Sequence, residues 1–260
     1  MSPLITLTTD FGDASPYVAV MKGVILTIAP NACILDLTHR IRPQDLRHAS
    51  YFLGTALPYF PPGTIHVAVI DPGVGSDRAA LGVEVGGQIL LGPDNGLFTN
   101  AIHRFGEPEV RTLTNRSLWR DTVSDTFHGR DIFAPVAAHL ARGVPFADIG
   151  PIAPTWVTLP AHSAVRWHDR CEGEVQHVDD FGNLITNIPA EMVKSLPVKV
   201  SLRGEAEHPL RWVKTYADAA PGDIVCLFSS DGFFEIAEVN GNAAQRLGLG
   251  VGRIIDLVFE

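Results

Sequence analysis

Two side chains of opposite charge, Asp71 and Arg78, are the first candidates for chemistry in this sequence. They flank a turn-rich stretch, Asp-Pro-Gly-Val-Gly-Ser-Asp-Arg, that follows an apolar run at residues 64–70. The proline and the two glycines permit a tight backbone path, so the carboxylate and the guanidinium can meet across the turn. Open α/β sheets usually bind ligands at such strand ends. An inert ion pair that pins the loop is the alternative interpretation.

Other polar turns also lie at the predicted ends of strands or helices. Asp10 follows a buried strand predicted at residues 4–9, and His128 precedes a helix predicted at residues 132–141. Free N–H groups at a helix start can bind an anion or a carboxylate. A capping role is the alternative for both Asp10 and His128. A further polar cluster spans residues 179–187, where Asp179 is either a ligand-binding or a turn residue.

The elements that must position these residues alternate between strand and helix. Apolar runs and helical spacing predict strands at 4–9, 33–37 and 64–70 and helices at 18–29 and 45–57. This order predicts a mainly parallel central sheet with right-handed crossovers. Strands at 81–85 and 88–91, joined by Gly86-Gly87, predict a hairpin.

The sequence pattern changes from alternating strands and helices to short apolar runs separated by turns. This change predicts two domains, an N-terminal α/β catalytic domain at residues 1–160 and a small C-terminal β domain at residues 161–260. A proline-containing linker is expected at 150–164. Short apolar runs separated by Gly, Pro and Asn turns are typical of a small all-β domain. The predicted strands lie at 173–178, 184–188, 198–202, 224–228, 233–239 and 253–259.

Composition excludes several classes of protein. Among 260 residues, 46% are hydrophobic and 19% charged, the mix of a folded chain, and the formal net charge of −9 argues against nucleic-acid binding. Three widely spaced cysteines predict neither disulfides nor a zinc site, and buried free thiols are expected. We predict no metal. The absence of a leader or an apolar run of spanning length predicts a soluble cytoplasmic protein with no membrane partner.

The polar turns together resemble the S-adenosylmethionine hydrolases (hydroxide adenosyltransferases), relatives of the fluorinating and chlorinating adenosyl enzymes. The matching stretches run in that family's order along nearly the whole chain. They are Thr9-Asp10-Phe11-Gly12, Asp36-Leu-Thr-His39, Asp71-Pro-Gly-Val-Gly75 with Arg78, Pro93-Asp94-Asn95-Gly96-Leu97, Thr126-Phe-His128-Gly-Arg-Asp131, Asp180-Phe-Gly-Asn183 with Thr186-Asn187, and Asn240-Gly-Asn242-Ala-Ala244.

The resemblance implies an α/β N-terminal domain, a C-terminal β-barrel and a homotrimer whose active sites lie between subunits. It also implies that Asp71, Arg78 and His128 position and activate a water. The water would attack the ribose C5′ of S-adenosylmethionine and release adenosine and methionine, without a cofactor. Either Asp71 or His128 would accept the proton, since arginine is a poor base.

The resemblance further assigns substrate contacts. A carboxylate suits hydroxyl and ammonium donors because it accepts several hydrogen bonds at once. The implied contacts are Asp10 with the ribose hydroxyls, Asp179 or its neighbour Asp180 with the methionine ammonium, Asn183 with the nucleoside, Ser230 with the methionine carboxylate, and backbone groups from Asn242 to Ala244 with the adenine edge.

Several positions differ from the halogenating relatives. Those enzymes carry Ser where Gly129 stands, Tyr at the positions of Asp71 and His128, Trp at Gln44, and an inserted loop that this shorter chain lacks. The differences favour water as the nucleophile. The alternatives are a halide-dependent adenosyl halogenase, a nucleoside or S-adenosylmethionine binding or sensing module with incidental turnover, and a purely structural oligomer.

Overall fold

The computed structural model describes residues 2–160, 163–193, 200–203 and 208–259. The chain divides into two compact units, Met1–Leu159 and Pro160–Glu260. Helices and two β-sheets build these units, which confirms the predicted mixed α/β class. In the described ranges, no helix is long and apolar enough to cross a membrane.

The N-terminal unit contains a mixed sheet in the order β2-β1-β3-β5-β4-β6. The pairings β1–β2, β1–β3 and β3–β5 are parallel, and those of β4 with β5 and β6 are antiparallel. Its strands are β1 (Leu4–Thr9), β2 (Cys33–Thr38), β3 (Ile65–Val69), β4 (Ala80–Val85), β5 (Gln88–Pro93) and β6 (Glu109–Thr112).

Helices cover both faces of this sheet. The helices are α1 (Tyr17–Ile28), α2 (Leu46–Ala56), α3 (Thr99–Phe105) and α4 (Ala134–Ala141). On one face Met21 and Ile25 of α1 pack with residues of α4 and β1, and on the other Leu53 of α2 packs with Ala101 of α3. Removing these apolar side chains from water holds the layers together.

The parallel register places two candidate residues at one edge of the sheet. Thr9 of β1 pairs with Val69 of β3. Asp10 therefore leaves the sheet beside the strand that leads to Asp71. This is the carboxyl edge, where side chains from loops after neighbouring parallel strands can converge.

The predicted hairpin is confirmed, since β4 and β5 pair antiparallel with Val85 opposite Gln88. The two connecting residues, Gly86 and Gly87, have φ values of 59° and 74°. Two consecutive positive φ angles are what a type I′ hairpin turn requires, and glycine adopts them without steric cost.

The C-terminal unit has its own sheet, in the order β14-β10-β11-β12-β13-β9-β8-β7, and β8 pairs with β14 as well as with β9. Buried Val175, Leu184, Phe234 and Ile236 belong to its core. The strands are β7 (Val165–Arg166), β8 (Arg170–Val178), β9 (Leu184–Pro189), β10 (Val200–Arg203), β11 (His208–Trp212), β12 (Ile224–Phe228), β13 (Phe233–Glu238) and β14 (Ile254–Phe259), and the short helices are α5 (Ala190–Val193) and α6 (Ala243–Leu247).

The structure departs from the predicted elements in a few places. Cys33 is exposed at the start of the edge strand β2, so the expectation of three buried thiols is wrong for it, whereas Cys171 and Cys226 are buried. The α-helix predicted to begin at residue 132 begins at Ala134, after a π-helical turn, Gly129–Phe133. The sequence predictions contain no counterpart of α3, α5, α6, β6, β7 or β11, each of seven residues or fewer. Residues 198–199 of a predicted strand lie outside the described residues.

Candidate active site

Asp71 and Arg78 form a buried, bidentate ion pair across the turn that follows β3. Arg78 Nε donates to Asp71 Oδ1 and Oδ2 at 3.0 and 3.1 Å, and Nη2 donates to Oδ2 at 2.5 Å. The side chain of Asp71 is 5% exposed and that of Arg78 is 10% exposed. A carboxylate and a guanidinium this deeply buried hold each other in one geometry, because each would be costly to leave unpaired.

His128 extends this pair into a chain of three. Its Nδ1 lies 2.7 Å from Arg78 Nη2. Arginine has no acceptor, so His128 Nδ1 must accept this hydrogen bond, and the neutral ring then carries its proton on Nε2. His128 makes no side-chain capping bond to the helical segment that follows, which removes the capping interpretation.

The charge state of His128 follows from its surroundings. Burial and the neighbouring Arg78 lower its pKa, and the carboxylates of Asp71, Asp131 and Asp125 act in the opposite direction more weakly. The ring is therefore neutral at pH 7, as its hydrogen bond from Arg78 requires.

Asp10 lies half-buried at the end of β1, where its Oδ2 accepts from the backbone N–H of Gln44 at 2.9 Å. It does not cap the helix that follows, because α1 begins at Tyr17 and has Pro16 as its N-cap. Gln44 has a φ of 65°, a left-handed conformation that is unusual for a side chain of this size. Strained residues of this kind are concentrated at functional sites.

Asp179 serves the turn in which it lies. Its Oδ1 accepts from the N–H groups of Phe181 and Asn183, and its Oδ2 accepts from Asn183 Nδ2 at 2.9 Å. Asn183 is 7% exposed, whereas Asp180 is exposed. The turn interpretation of Asp179 is thus confirmed, and contact of either aspartate with a methionine ammonium stays a prediction.

The turn at Asp179 packs against the start of α6. Ala244 N–H donates to the carbonyl of Gly182 at 3.0 Å, and a Cβ on Gly182 would lie 2.2 Å from Asn242 Cγ. Asn242 caps α6 by accepting from Gln245 N–H. The structure therefore brings together two motifs that are about 60 residues apart in sequence. Because the Ala244 N–H is already bonded, an adenine edge would have to meet other groups here.

Ser230 is exposed in the turn between β12 and β13. Its neighbour Ser229 makes the hydrogen bonds of that turn, accepting from Phe233 N–H through Oγ and from Gly232 N–H through its carbonyl. The structure leaves the hydroxyl of Ser230 at the surface of the C-terminal unit, and its predicted contact with a carboxylate stays a prediction.

Two buried carboxylates were given no role in the sequence analysis. Asp131 is 0% exposed and bonded to two arginines, and Glu235 in β13 is 4% exposed and accepts from Tyr216 Oη at 2.5 Å. Burial and the charge of Asp179 raise the pKa of Glu235, against the opposing hydrogen bond from Tyr216. The available signal was an acidic residue inside an apolar run, at Phe-Phe-Glu-Ile-Ala for Glu235.

Throughout residues 2–160, 163–193, 200–203 and 208–259, no group of three His, Cys, Asp or Glu side chains could hold a metal ion. The functional groups of the candidate site are a buried carboxylate, a guanidinium and a neutral imidazole, at the carboxyl edge of a sheet. With a separate β unit that follows it, this arrangement is that of a two-unit α/β protein with groups suited to proton exchange at one edge of its sheet.

Comparison with known proteins identifies the particular family. Family models for the N-terminal and C-terminal domains of SAM hydroxide adenosyltransferase match residues 5–150 and 173–256. The chain belongs to this family. The (R)-S-adenosyl-L-methionine hydrolase of Salinispora tropica is 41% identical over 254 residues, which cover 96% of each chain.

A solved structure and a halogenating relative extend the comparison. The crystal structure of an uncharacterized conserved protein from Thermotoga maritima superposes with a TM-score of 0.92 at 38% identity, covering 98% of this chain and 99% of that one. A fluorinase from Actinoplanes sp. is 26% identical over 286 residues, covering 96% of each chain. Similarity to the named hydrolase is thus considerably higher than to this fluorinase.

Proposed function

We propose that this protein hydrolyses S-adenosyl-L-methionine to adenosine and L-methionine, and that its substrate is the (R) epimer at sulfur. The observation that carries the proposal is the continuous hydrogen-bonded chain Asp71–Arg78–His128, in a member of the hydroxide adenosyltransferase family. The (R) epimer is the one for which the Salinispora tropica relative is named.

The proposed reaction needs a well-placed water and little else. The water oxygen forms a bond to the ribose C5′ as the C5′–S bond breaks, and the bonding pair passes to sulfur, which becomes the neutral thioether of methionine. Sulfonium is already a good leaving group, so no acid is required on that side. Orientation of the nucleophile can supply about 7–11 kcal/mol of the barrier.

The hydrogen bonding of the three residues divides their roles. His128 Nδ1 is occupied by Arg78, and its Nε2 carries the ring proton, so the neutral ring can orient a water but has no free lone pair for the proton. Arg78 is always charged. Asp71 keeps acceptor capacity on its carboxylate, and we assign it as the group that takes the proton from the water before releasing it to solvent.

Packing around Gly129 favours water over a halide. A Cβ at this position would lie 3.2 Å from Met21 Sδ, and Met21 is completely buried. The serine of the halogenating enzymes would therefore require Met21 to move. Asp71 and His128 in place of two tyrosines also add polar groups that can hold water.

The C-terminal unit is proposed to close into a β-barrel and to supply the substrate contacts of Asp179, Asn183, Ser230 and the segment Asn242 to Ala244. Pairing of β8 with both β9 and β14 supports the closure. We further propose a homotrimer in which these contacts reach the Asp71 site of a neighbouring subunit, with Asp10 on the ribose, as the family resemblance implies.

The decisive experiment is incubation of the pure protein with separated (R) and (S) epimers in oxygen-18 water, with products identified by mass. We expect adenosine labelled at the 5′ hydroxyl and unlabelled methionine, chiefly from the (R) epimer. Unlabelled adenosine, or tight binding without product, would contradict hydrolysis. Added chloride or fluoride should yield no halogenated nucleoside.

The trimer and its shared sites need a separate test. Sedimentation gives the oligomeric state. Co-expression of Asp71→Asn chains with Asn183→Ala chains produces mixed trimers, and sites between subunits then include some with both halves intact. Recovery of activity above either variant alone is expected. Sites contained within one subunit would give no recovery.

A further inference from the structure

The loop that carries His128 is anchored by one buried carboxylate, that of Asp131. Asp131 is 0% exposed. Its Oδ1 accepts from Arg120 Nη1 at 2.9 Å and Arg130 Nε at 2.6 Å, and its Oδ2 accepts from Arg130 Nη2 at 2.7 Å and Ser124 N–H at 2.9 Å. Because a buried charge must be paired, these four bonds fix both arginines and the loop backbone.

Backbone hydrogen bonds close the same loop at its ends. Arg120 N–H donates to the carbonyl of Asp131 at 3.0 Å, and the N–H groups of Arg130 and Asp131 both donate to the carbonyl of Phe127 at 3.2 Å. Arg130 also stacks on the Phe127 ring, with its guanidinium carbon 5.0 Å from the centroid. Residues 120–131 are therefore held together by hydrogen bonds as one loop around Asp131.

The loop of residues 120–131 contacts the Asp71–Arg78 turn at two points. The first is the bond between His128 Nδ1 and Arg78 Nη2 at 2.7 Å. The second is the carbonyl of Asp125, which would lie 2.4 Å from a Cβ on Gly75 and so requires the glycine. The position of the loop thus decides where the His128 ring stands relative to Arg78.

Local helix geometry ties Asp131 to His128 as well. The segment Gly129–Phe133 is a π-helix, and His128 immediately precedes it. π-Helical turns insert an extra residue into a helix, are rare, and are frequent at functional sites. Asp131 lies inside this turn, three residues after His128, so its fixed carboxylate also fixes the start of the turn.

We propose that Asp131 is a positioning residue for the reaction, which holds His128 against Arg78 without touching substrate itself. The proposal rests on the proposed function and adds to it a residue outside the Asp71–Arg78–His128 chain. No bond to the substrate forms or breaks at Asp131. Its effect passes through the His128 ring and must vanish when that ring is removed.

Asp131 also contributes to the electrostatic environment of His128. The charged groups that face the His128 ring are Arg78, Asp71, Asp125 and Asp131. Replacing Asp131 by the neutral amide removes one negative charge and leaves Arg120 and Arg130 without their partner. By charge alone, this change makes protonation of His128 less favourable, whereas any lengthening of the bond from Arg78, whose charge acts more strongly, makes it more favourable.

The test is a double-mutant cycle with Asp131→Asn and His128→Ala, read as kcat and KM separately. We expect Asp131→Asn alone to lower kcat about 10- to 100-fold, the effect of a displacement near 1 Å, with KM changed less than about twofold. In the His128→Ala background the same substitution should change kcat less than about twofold. A second loss as large as the first would overturn the proposal, because it would show that Asp131 acts independently of His128.

A milder variant covers the case in which Asp131→Asn does not fold. Arg120→Gln removes one donor to Asp131 from a side chain that is 42% exposed. We expect it to lower kcat severalfold with KM unchanged and a normal melting temperature. Arg116→Gln is the matched control, since Arg116 lies in the same region and stacks on Trp119. Equal kcat values in the two arginine variants would contradict the positioning role.

Failure of the proposed function gives a different result from failure of this inference. A wild-type protein that makes no adenosine from either epimer contradicts hydrolysis. The inference is then read from the ¹⁵N shifts of the His128 imidazole as pH is varied. Asp131→Asn should disturb the Nδ1 shift that reports the Arg78 bond. A folded variant with an unchanged Nδ1 shift would overturn the inference.

Discussion

Arg78 donates through Nη2 to Nδ1 of His128 over 2.7 Å, while its Nε and Nη2 also hold Asp71. One guanidinium thereby orients both the carboxylate of Asp71 and the ring of His128. The same bond dictates the tautomer of His128, since arginine can only donate. A protonated His128 would have to point an N–H at a fixed cation, so the arrangement holds only while the ring is neutral.

The first prediction follows from that condition and concerns the pH dependence of kcat. Burial and the charge of Arg78 lower the pKa of His128 below the ordinary value of 6.5. Activity should therefore be constant between pH 7 and 8 and fall on acidification with a midpoint below 6.5. The measurement is a pH–rate profile at saturating substrate. An acid limb centred above 6.5 would show that the Arg78 bond does not control His128.

The second prediction concerns Asp71→Asn. The amide keeps the shape of the side chain but loses the charge and the capacity to take a proton, so we expect kcat to fall about 10²- to 10⁴-fold. Substrate affinity, measured by calorimetry, should change little. Asp77→Asn is the matched control, because Asp77 is an exposed carboxylate in the same turn. Activity of Asp71→Asn near that of the control would rule out Asp71 as the base.

Local patterns predicted much of the fold, because strands and turns are encoded by neighbouring residues. The Gly86-Gly87 hairpin and the parallel strands before Asp10 and Asp71 are examples. A resemblance at family level, rather than spacing, connected His128 with Arg78, since the bond spans 50 residues. No local pattern could show that the carboxylate of Asp131 accepts four hydrogen bonds, because two of its donors, Arg120 and Ser124, lie 11 and 7 residues earlier in the chain.

Packing between distant segments was equally invisible in the sequence. The hydrogen bond from Ala244 to Gly182 joins a helix start to a turn about 60 residues earlier. Asp179 accepts hydrogen bonds from the N–H groups of its own turn. The sequence could not decide between this role and ligand binding. The exposed position of Cys33 follows from the edge position of β2, which depends on the order of the strands in the sheet.

The third prediction concerns acid sensitivity of folding through His66. This ring is 1% exposed, accepts from Thr6 Oγ1 through Nδ1 and donates to Gln88 Oε1 through Nε2. Burial lowers its pKa from 6.5 to about 4. The unfolded chain therefore binds a proton at this ring at higher pH than the folded chain. The contribution of His66 to stability is fully present above pH 6.5 and is lost as the pH falls from there through 4.

The size of this effect is about 3 kcal/mol of unfolding free energy between pH 7 and pH 4. It is measured by urea unfolding at fixed protein concentration over that range. The variant His66→Gln lacks the titrating group and should lose less stability on acidification, although it is less stable than the parent at pH 7. An identical pH dependence in both proteins would contradict the assignment to His66.

The fourth prediction uses two glycines with similar positive φ angles. Gly75 and Gly63 have φ values of 79° and 82°, so alanine is strained at both positions and should cost about 1 kcal/mol from this cause. A Cβ at Gly63 meets nothing within 4 Å, whereas a Cβ at Gly75 would lie 2.4 Å from the carbonyl of Asp125. Gly63→Ala is therefore the control for backbone strain alone.

We expect Gly75→Ala to push the loop that carries His128 away from Arg78 and to lower kcat about 10- to 100-fold, whereas Gly63→Ala should leave kcat within about twofold. Thermal unfolding of both variants separates this effect from a loss of folded protein. Because the clash acts on the distance between His128 and Arg78, Gly75→Ala should also shift the midpoint of the acid limb of the pH–rate profile, which that bond sets. Equal kcat values for the two alanine variants would show that the contact between the turn and the loop does not govern catalysis.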